Sequence, residues 1–115
     1  MRRALPAAAA LLLLLPLAAC SRPGPKELPD RTMSLDIQGL PASQIVEMAA
    51  AVGGFRLEWT AAALERAEKS PVDLEVEDAR WNEVLERAAR GAGLAWDWLP
   101  RDEGWLIRVR LPEEG

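Results

Sequence analysis

A regular alternation of apolar and polar residues begins just after Arg31. Met33, Leu35 and Ile37 alternate with Ser34, Asp36 and Gln38, and that period of two gives a strand with one apolar and one polar face. Gly39-Leu40-Pro41 reads as a break. Pro41 suits the first position of a helix, where its missing N–H is not needed. The period then lengthens, with Ile45, Val46, Ala49 and Val52 at helical spacing and Gly53-Gly54 as a left-handed stop. Phe55, Leu57 and Trp59 alternate with Arg56 and Glu58, which predicts a second strand. Residues 61–69 allow a short helix, ended by Ser70-Pro71 because the residue before a proline is pushed out of the helical region.

Val72, Leu74 and Val76 alternate with Asp73, Glu75 and Glu77 in a third strand, and Asp78 is placed to cap the helix that follows. Trp81, Val84, Leu85 and Ala88 mark the apolar face of that helix. Glu83 with Arg87, and Glu86 with Arg90, are i,i+4 pairs in the favourable order. Gly91 and Gly93 end it. Leu94, Trp96 and Trp98 share one face of a fourth strand, residues 100–104 make a turn, and Trp105, Ile107, Val109 and Leu111 share one face of a fifth. The expected fold is α+β, one small βαββαββ domain.

The N-terminus obeys neither period. Arg2 and Arg3 precede an apolar run from Ala4 to Ala19, rich in Leu11 to Leu15 and interrupted by Pro6 and Pro16. A spanning helix needs about 20 apolar residues, so the layout favours a secretory signal. Its end, Leu17-Ala18-Ala19-Cys20, resembles the bacterial lipobox. That resemblance implies cleavage before Cys20, a thioether from its thiol to diacylglycerol, and acylation of the freed amine. Several chains would hold the protein on a membrane, since each buried methylene contributes about 0.8 kcal/mol. The alternative is an ordinary signal beside a chance cysteine. Ser21 next to the cysteine directs lipoproteins of enteric type to the outer membrane. The expected location is therefore the periplasmic side of the envelope, at the outer rather than the inner membrane. Residues 21–29 hold three prolines and a glycine and predict an extended tether reaching roughly 30 Å. The chain thus divides into a signal over 1–19, lipidated cysteine and tether over 20–30, a domain over 31–112 and a tail over 113–115.

Composition narrows the function. Of 14 basic residues the signal removes Arg2 and Arg3, leaving 12 against 18 acidic ones, a net charge of −6. Nucleic acid binding is disfavoured, because it depends on a basic surface. The sequence has no His and no Tyr, which removes the commonest general base and metal ligand. Cys20 is the only cysteine, which excludes an intrachain disulfide and a Cys-based zinc site. The acids alternate along strands or pair with arginines instead of converging. No enzyme activity and no cofactor beyond the lipid on Cys20 are expected.

Three stretches carry a further resemblance. They are Met33-Ser34-Leu35-Asp36-Ile37 running through Leu40-Pro41 into Ile45-Val46, then Val52 to Trp59, and above all Val72 to Leu85 followed by Gly93-Leu94-Ala95-Trp96. In order and spacing these resemble the secretin and TonB N-terminal short domain, over roughly residues 31–111. The resemblance implies two helices between a two-stranded and a three-stranded sheet, with Ala42, Ala49, Ala50, Ala51, Ala88, Ala89 and Ala92 where backbones approach closely. The connection over 61–69 is longer than secretins lead one to expect.

Five tryptophans invite a functional reading, yet Trp59, Trp81, Trp96 and Trp105 fall on apolar faces and suit the core better. Trp98 is expected to be the most exposed, a candidate for partner binding, and to form a cross-strand aromatic pair with Trp105 across the turn. Asp73, Glu75 and Glu77 on one strand face, and Arg108 and Arg110 on another, are candidate partner-binding residues, although such rows more often face solvent or guard a sheet edge. The expected role is a protein-interaction module for a secretin, pilus or TonB-linked partner, with an exposed edge open to strand addition. The alternatives are a pilotin-like assembly factor for an outer-membrane channel and a glycan-binding lipoprotein using tryptophan.

Overall fold

The computed structural model describes residues 24–114, so the expectations for Cys20 and the signal lie outside the described residues. The chain runs β1 (Thr32–Pro41), α1 (Ala42–Gly53), β2 (Arg56–Trp59), α2 (Ala61–Glu68), β3 (Pro71–Arg80), α3 (Trp81–Gly91), β4 (Ala95–Arg101) and β5 (Gly104–Arg110), closing with a 3-10 turn over Pro112–Glu114. β1 and β3 form an antiparallel ribbon, and the second sheet has the order β2-β5-β4 with β2 parallel to β5. The fold is α+β, with α1 and α3 between the two sheets. The short helix over Ala61–Glu68 is an addition to the βαββαββ order. Thr60 starts it by accepting a hydrogen bond from the Ala63 N–H at 3.1 Å.

Small residues let the helical layer close. Ala42, Ala49, Ala50, Ala88 and Ala89 are buried beside Ile45, Val46, Val84 and Leu85, whereas Ala51 faces solvent. Gly53, at the end of α1, lies against the indole of Trp81. A Cβ there would come within 2.5 Å of Trp81 Cδ2. Gly54 has φ 82°, and the Gly54 and Phe55 N–H groups both return to the Ala50 carbonyl, the hydrogen-bonded stop that Gly53-Gly54 predicts.

Both long helices start without a side-chain cap. The first N–H of α1, from Ala42, donates to the Ser70 carbonyl at 2.9 Å, and that of α3, from Trp81, to the Arg31 carbonyl at 3.0 Å. Distant backbone thus satisfies donors that a cap would have served. Asp78 is not the cap of α3, and Pro41 precedes α1 instead of opening it.

Asp78 and Gly39 instead mark two bulges. β3 carries an extra residue between the pairs Met33–Ala79 and Leu35–Val76, and β1 carries one between Ile37–Leu74 and Leu40–Val72. Each extra residue brings a positive φ, 53° at Asp78 and 68° at Gly39. Each bulge is tied by a side chain of the opposite strand. The Asp78 N–H donates to Ser34 Oγ at 3.0 Å, and the Gly39 N–H to Asp73 Oδ1 at 2.7 Å. The strand therefore passes through Gly39-Leu40-Pro41 where the sequence suggests a break.

Candidate functional site

The outer face of the ribbon is acidic. Asp36 stands directly opposite Glu75, and Asp73 and Glu77 flank them on the same exposed side. Among the described residues none of these four carboxylates has a cation within 4 Å. Asp73 has a local duty at the Gly39 bulge, which spacing alone does not reveal. Glu75 and Glu77 line a shallow concavity with Ser34, Leu35, Asp36 and Val76. Like charges placed opposite one another on paired strands oppose pairing.

The outer face of the three-stranded sheet is built differently. Arg108 lies between Glu58 on β2 and Asp97 on β4 in register. Arg110 Nε donates to Asp97 Oδ2 at 2.6 Å, and its Nη1 reaches the carbonyls of Leu111 and Pro112 at 3.2 Å. The hydrogen bond to Asp97 raises the Arg110 pKa further, against the opposing effect of burial. Arg101 meets Glu58 at 3.5 Å and Arg56 meets Glu103 at 3.7 Å. Of the two arginines singled out in the sequence, Arg110 is committed to holding β4, β5 and the C-terminal turn together. Arg108 has no ion pair among the described residues.

The tryptophans divide between core and edge. Trp81 is fully buried, while Trp59, Trp96, Trp98 and Trp105 are half-buried. Trp98 does not stack on Trp105. Trp98 lies opposite Ile107 and Trp105 opposite Pro100. Its ring neighbours are Phe55 at 4.8 Å, Trp96 at 5.5 Å and Trp81 at 6.4 Å between centroids, the first two and the last all edge-on. The Trp96 indole N–H donates to Glu86 Oε1 at 2.8 Å, and the other oxygen of Glu86 takes Arg90.

Residues 24–31 depart from the extended tether that their composition predicts. Instead of projecting as a spacer, they lie along the domain. The Trp81 indole N–H donates to the Pro29 carbonyl at 3.0 Å, and Arg31 Nη1 donates to the Val52 carbonyl at 2.9 Å. Leu28 packs against the core, and Gly24 rests on Trp98 so closely that a Cβ would come within 2.9 Å of Cδ1. Gly24 and Pro25 line a cleft with Trp96, Asp97, Trp98, Leu99 and Arg110. The sequence offered no periodicity here, only prolines.

At the other end, Glu114 Oε1 accepts from the Leu111 N–H and the Thr60 hydroxyl, both at 2.7 Å. Those two bonds, the backbone one foremost, hold the carboxyl below the usual glutamate range. Among the described residues no three acidic, His or Cys side chains come together to hold a metal ion, and no helix is long and apolar enough to cross a membrane. No protein-family model matches the chain, and no curated protein matches it.

Proposed function

We propose that this chain is a bacterial envelope lipoprotein, anchored through lipid on Cys20, whose domain binds a protein partner in a secretin-based secretion or pilus apparatus or a TonB-linked system. The N-terminal support is the charged start, the apolar run and the Leu17-Ala18-Ala19-Cys20 ending. The observation that carries the binding role is the uncompensated row of Asp36, Asp73, Glu75 and Glu77. On the three-stranded sheet and on α3, by contrast, Glu58, Glu83, Glu86 and Asp97 are each paired with arginine. A carboxylate row with no cation of its own fits a partner that supplies lysine or arginine, and electrostatic complementarity of that kind speeds and orients encounter. Strand addition at the ribbon edge is less suited, because the two bulges cut the ribbon into short paired runs, the longest of them Leu35–Ile37 against Leu74–Val76. Glycan stacking loses its platform, since Trp98 lies under Gly24.

The test has two arms. A photo-crosslinker at Glu75 in the native envelope is expected to capture a secretin, pilus or TonB-linked component, and Glu77→Lys in the same chain is expected to lower that yield. Recovery of no envelope protein above background sinks the binding role. Cys20→Ser is expected to move the protein from the membrane to the soluble fraction, and retention on the membrane sinks the anchor.

A further inference from the structure

The position of Gly24 bears on how the domain sits once anchored. Backbone and side-chain bonds fix the chain from Arg31 back to Pro29 on Trp81, and Leu28 and Gly24 continue the contact to Trp98. The described chain therefore begins pinned against the edge strand β4, with Trp96, Asp97, Trp98 and Leu99 beside it. From Gly24 back to Cys20 there are four residues, which fully extended reach at most about 14 Å whatever their conformation. A free spacer beginning at the domain boundary would allow more than twice that reach.

We propose that residues 24–31 form a strap belonging to the folded domain, and that this strap holds the Trp96–Leu99 end of β4 against the lipid headgroups while the acidic ribbon faces away. The inference rests on the reading of Cys20 as lipidated and adds an orientation to it. The occupant of this end of the molecule is a phospholipid surface.

Two observations besides the short leash agree with that occupant. Charge at the β4 end is compensated, since Asp97 is bonded to Arg110, and on the strap the exposed Lys26 and Arg31 balance Glu27 and Asp30. The half-buried Trp96, which Gly24 does not cover, and Lys26 both suit the boundary between headgroups and water. The uncompensated carboxylates of Asp36, Asp73, Glu75 and Glu77 lie on the other side of the helical layer, on the ribbon's outer face. An anionic membrane repels that face, and with the β4 end down the ribbon stands beyond most of the screened field. The same orientation leaves the acidic row open to a soluble or membrane-spanning partner.

The experiment uses the full mature lipidated chain in vesicles of phosphatidylethanolamine and phosphatidylglycerol. Because Cys20 is consumed by the lipid, Leu99→Cys and Glu75→Cys each give a single thiol for a fluorophore, and nitroxide headgroups serve as quencher. The label at 99 is expected to be quenched several-fold more than the label at 75. Inserting about ten Gly and Ser residues between Ser21 and Arg22 lengthens the leash without touching the strap, and is expected to bring that ratio towards one. Gly24→Val, which drives a side chain into Trp98, is expected to do the same by lifting the strap. Equal quenching at the two positions in the unmodified chain, or a ratio indifferent to the insertion, overturns the orientation while leaving the anchor intact. Failure of the chain to float with the vesicles overturns the anchor and the orientation together.

Discussion

The two sheets of this domain are covered by the same helices, yet their outer faces follow opposite rules. On the three-stranded sheet, cations and carboxylates are interleaved across strands: Glu58, Arg108 and Asp97 stand in one row, and Arg110 and Arg101 close on Asp97 and Glu58. On the ribbon, Asp36 faces Glu75 with no cation within 4 Å among the described residues. The first arrangement stabilises the sheet it lies on. The second opposes its own strand pairing, and the ribbon instead relies on apolar packing beneath and on side-chain ties at the Gly39 and Asp78 bulges. The proposed partner would relieve that repulsion by bringing cations of its own.

The contrast can be tested from its foundation upward. Trp81→Ala removes the fully buried ring packed on Gly53, Phe55 and Trp98 and leaves the Pro29 carbonyl without its donor. It is expected to cost about 3–5 kcal/mol, read from urea unfolding. Ribbon and three-stranded sheet should melt in one transition, and two separated transitions would show them to be independent. Asp97→Ala strands Arg110 and is expected to cost about 1–2 kcal/mol, as for a partly exposed charged hydrogen bond. Asp73→Ala frees the Gly39 N–H and is expected to cost about 0.5–1 kcal/mol. Glu75→Lys should go the other way, gaining about 0.2–0.5 kcal/mol by facing Asp36 with an opposite charge. That gain should shrink as salt is added. A loss in its place would mean that the acidic row contributes to folding.

The smallest expected effect is at the join between the three-stranded sheet and α2. Glu114 has a folded pKa held below its unfolded one, so its contribution is present above the unfolded value and is lost as pH falls through the folded value. Glu114→Gln should therefore flatten that part of the acid limb, seen by comparing urea midpoints at neutral pH and at a pH of about 3. An unchanged acid limb would show that the Thr60 and Leu111 bonds are immaterial to stability.

Much of the architecture was legible because burial writes itself as a period. Leu35 and Ile37, Val84 and Leu85, and Ile107 and Val109 are buried or half-buried where the alternation places them. The pairs Glu83–Arg87 and Glu86–Arg90 also form, at 3.6 and 2.7 Å. What escaped the sequence is long-range. Asp78 has the chemistry of a helix cap, and only the register of β1 against β3 makes it a bulge. The Trp98–Trp105 stack failed because the tight turn between Arg101 and Gly104 sets Trp105 opposite Pro100. The strap escaped for a related reason. Proline-rich composition reports a lack of periodicity, while the contact that fixes residues 24–31 is an indole N–H far along the chain. Among the site residues, the charges of Asp73 and Arg110 were visible and their partners were not.

The contact between Gly53 and Trp81 has a consequence for how this fold can vary. The indole occupies the space that a side chain at 53 would need, so the two positions share one volume. Neither can change size alone without strain or a void. A methyl at 53 should become tolerable only where the ring at 81 has shrunk, and the pair should drift together through sequence space as a single exchangeable unit.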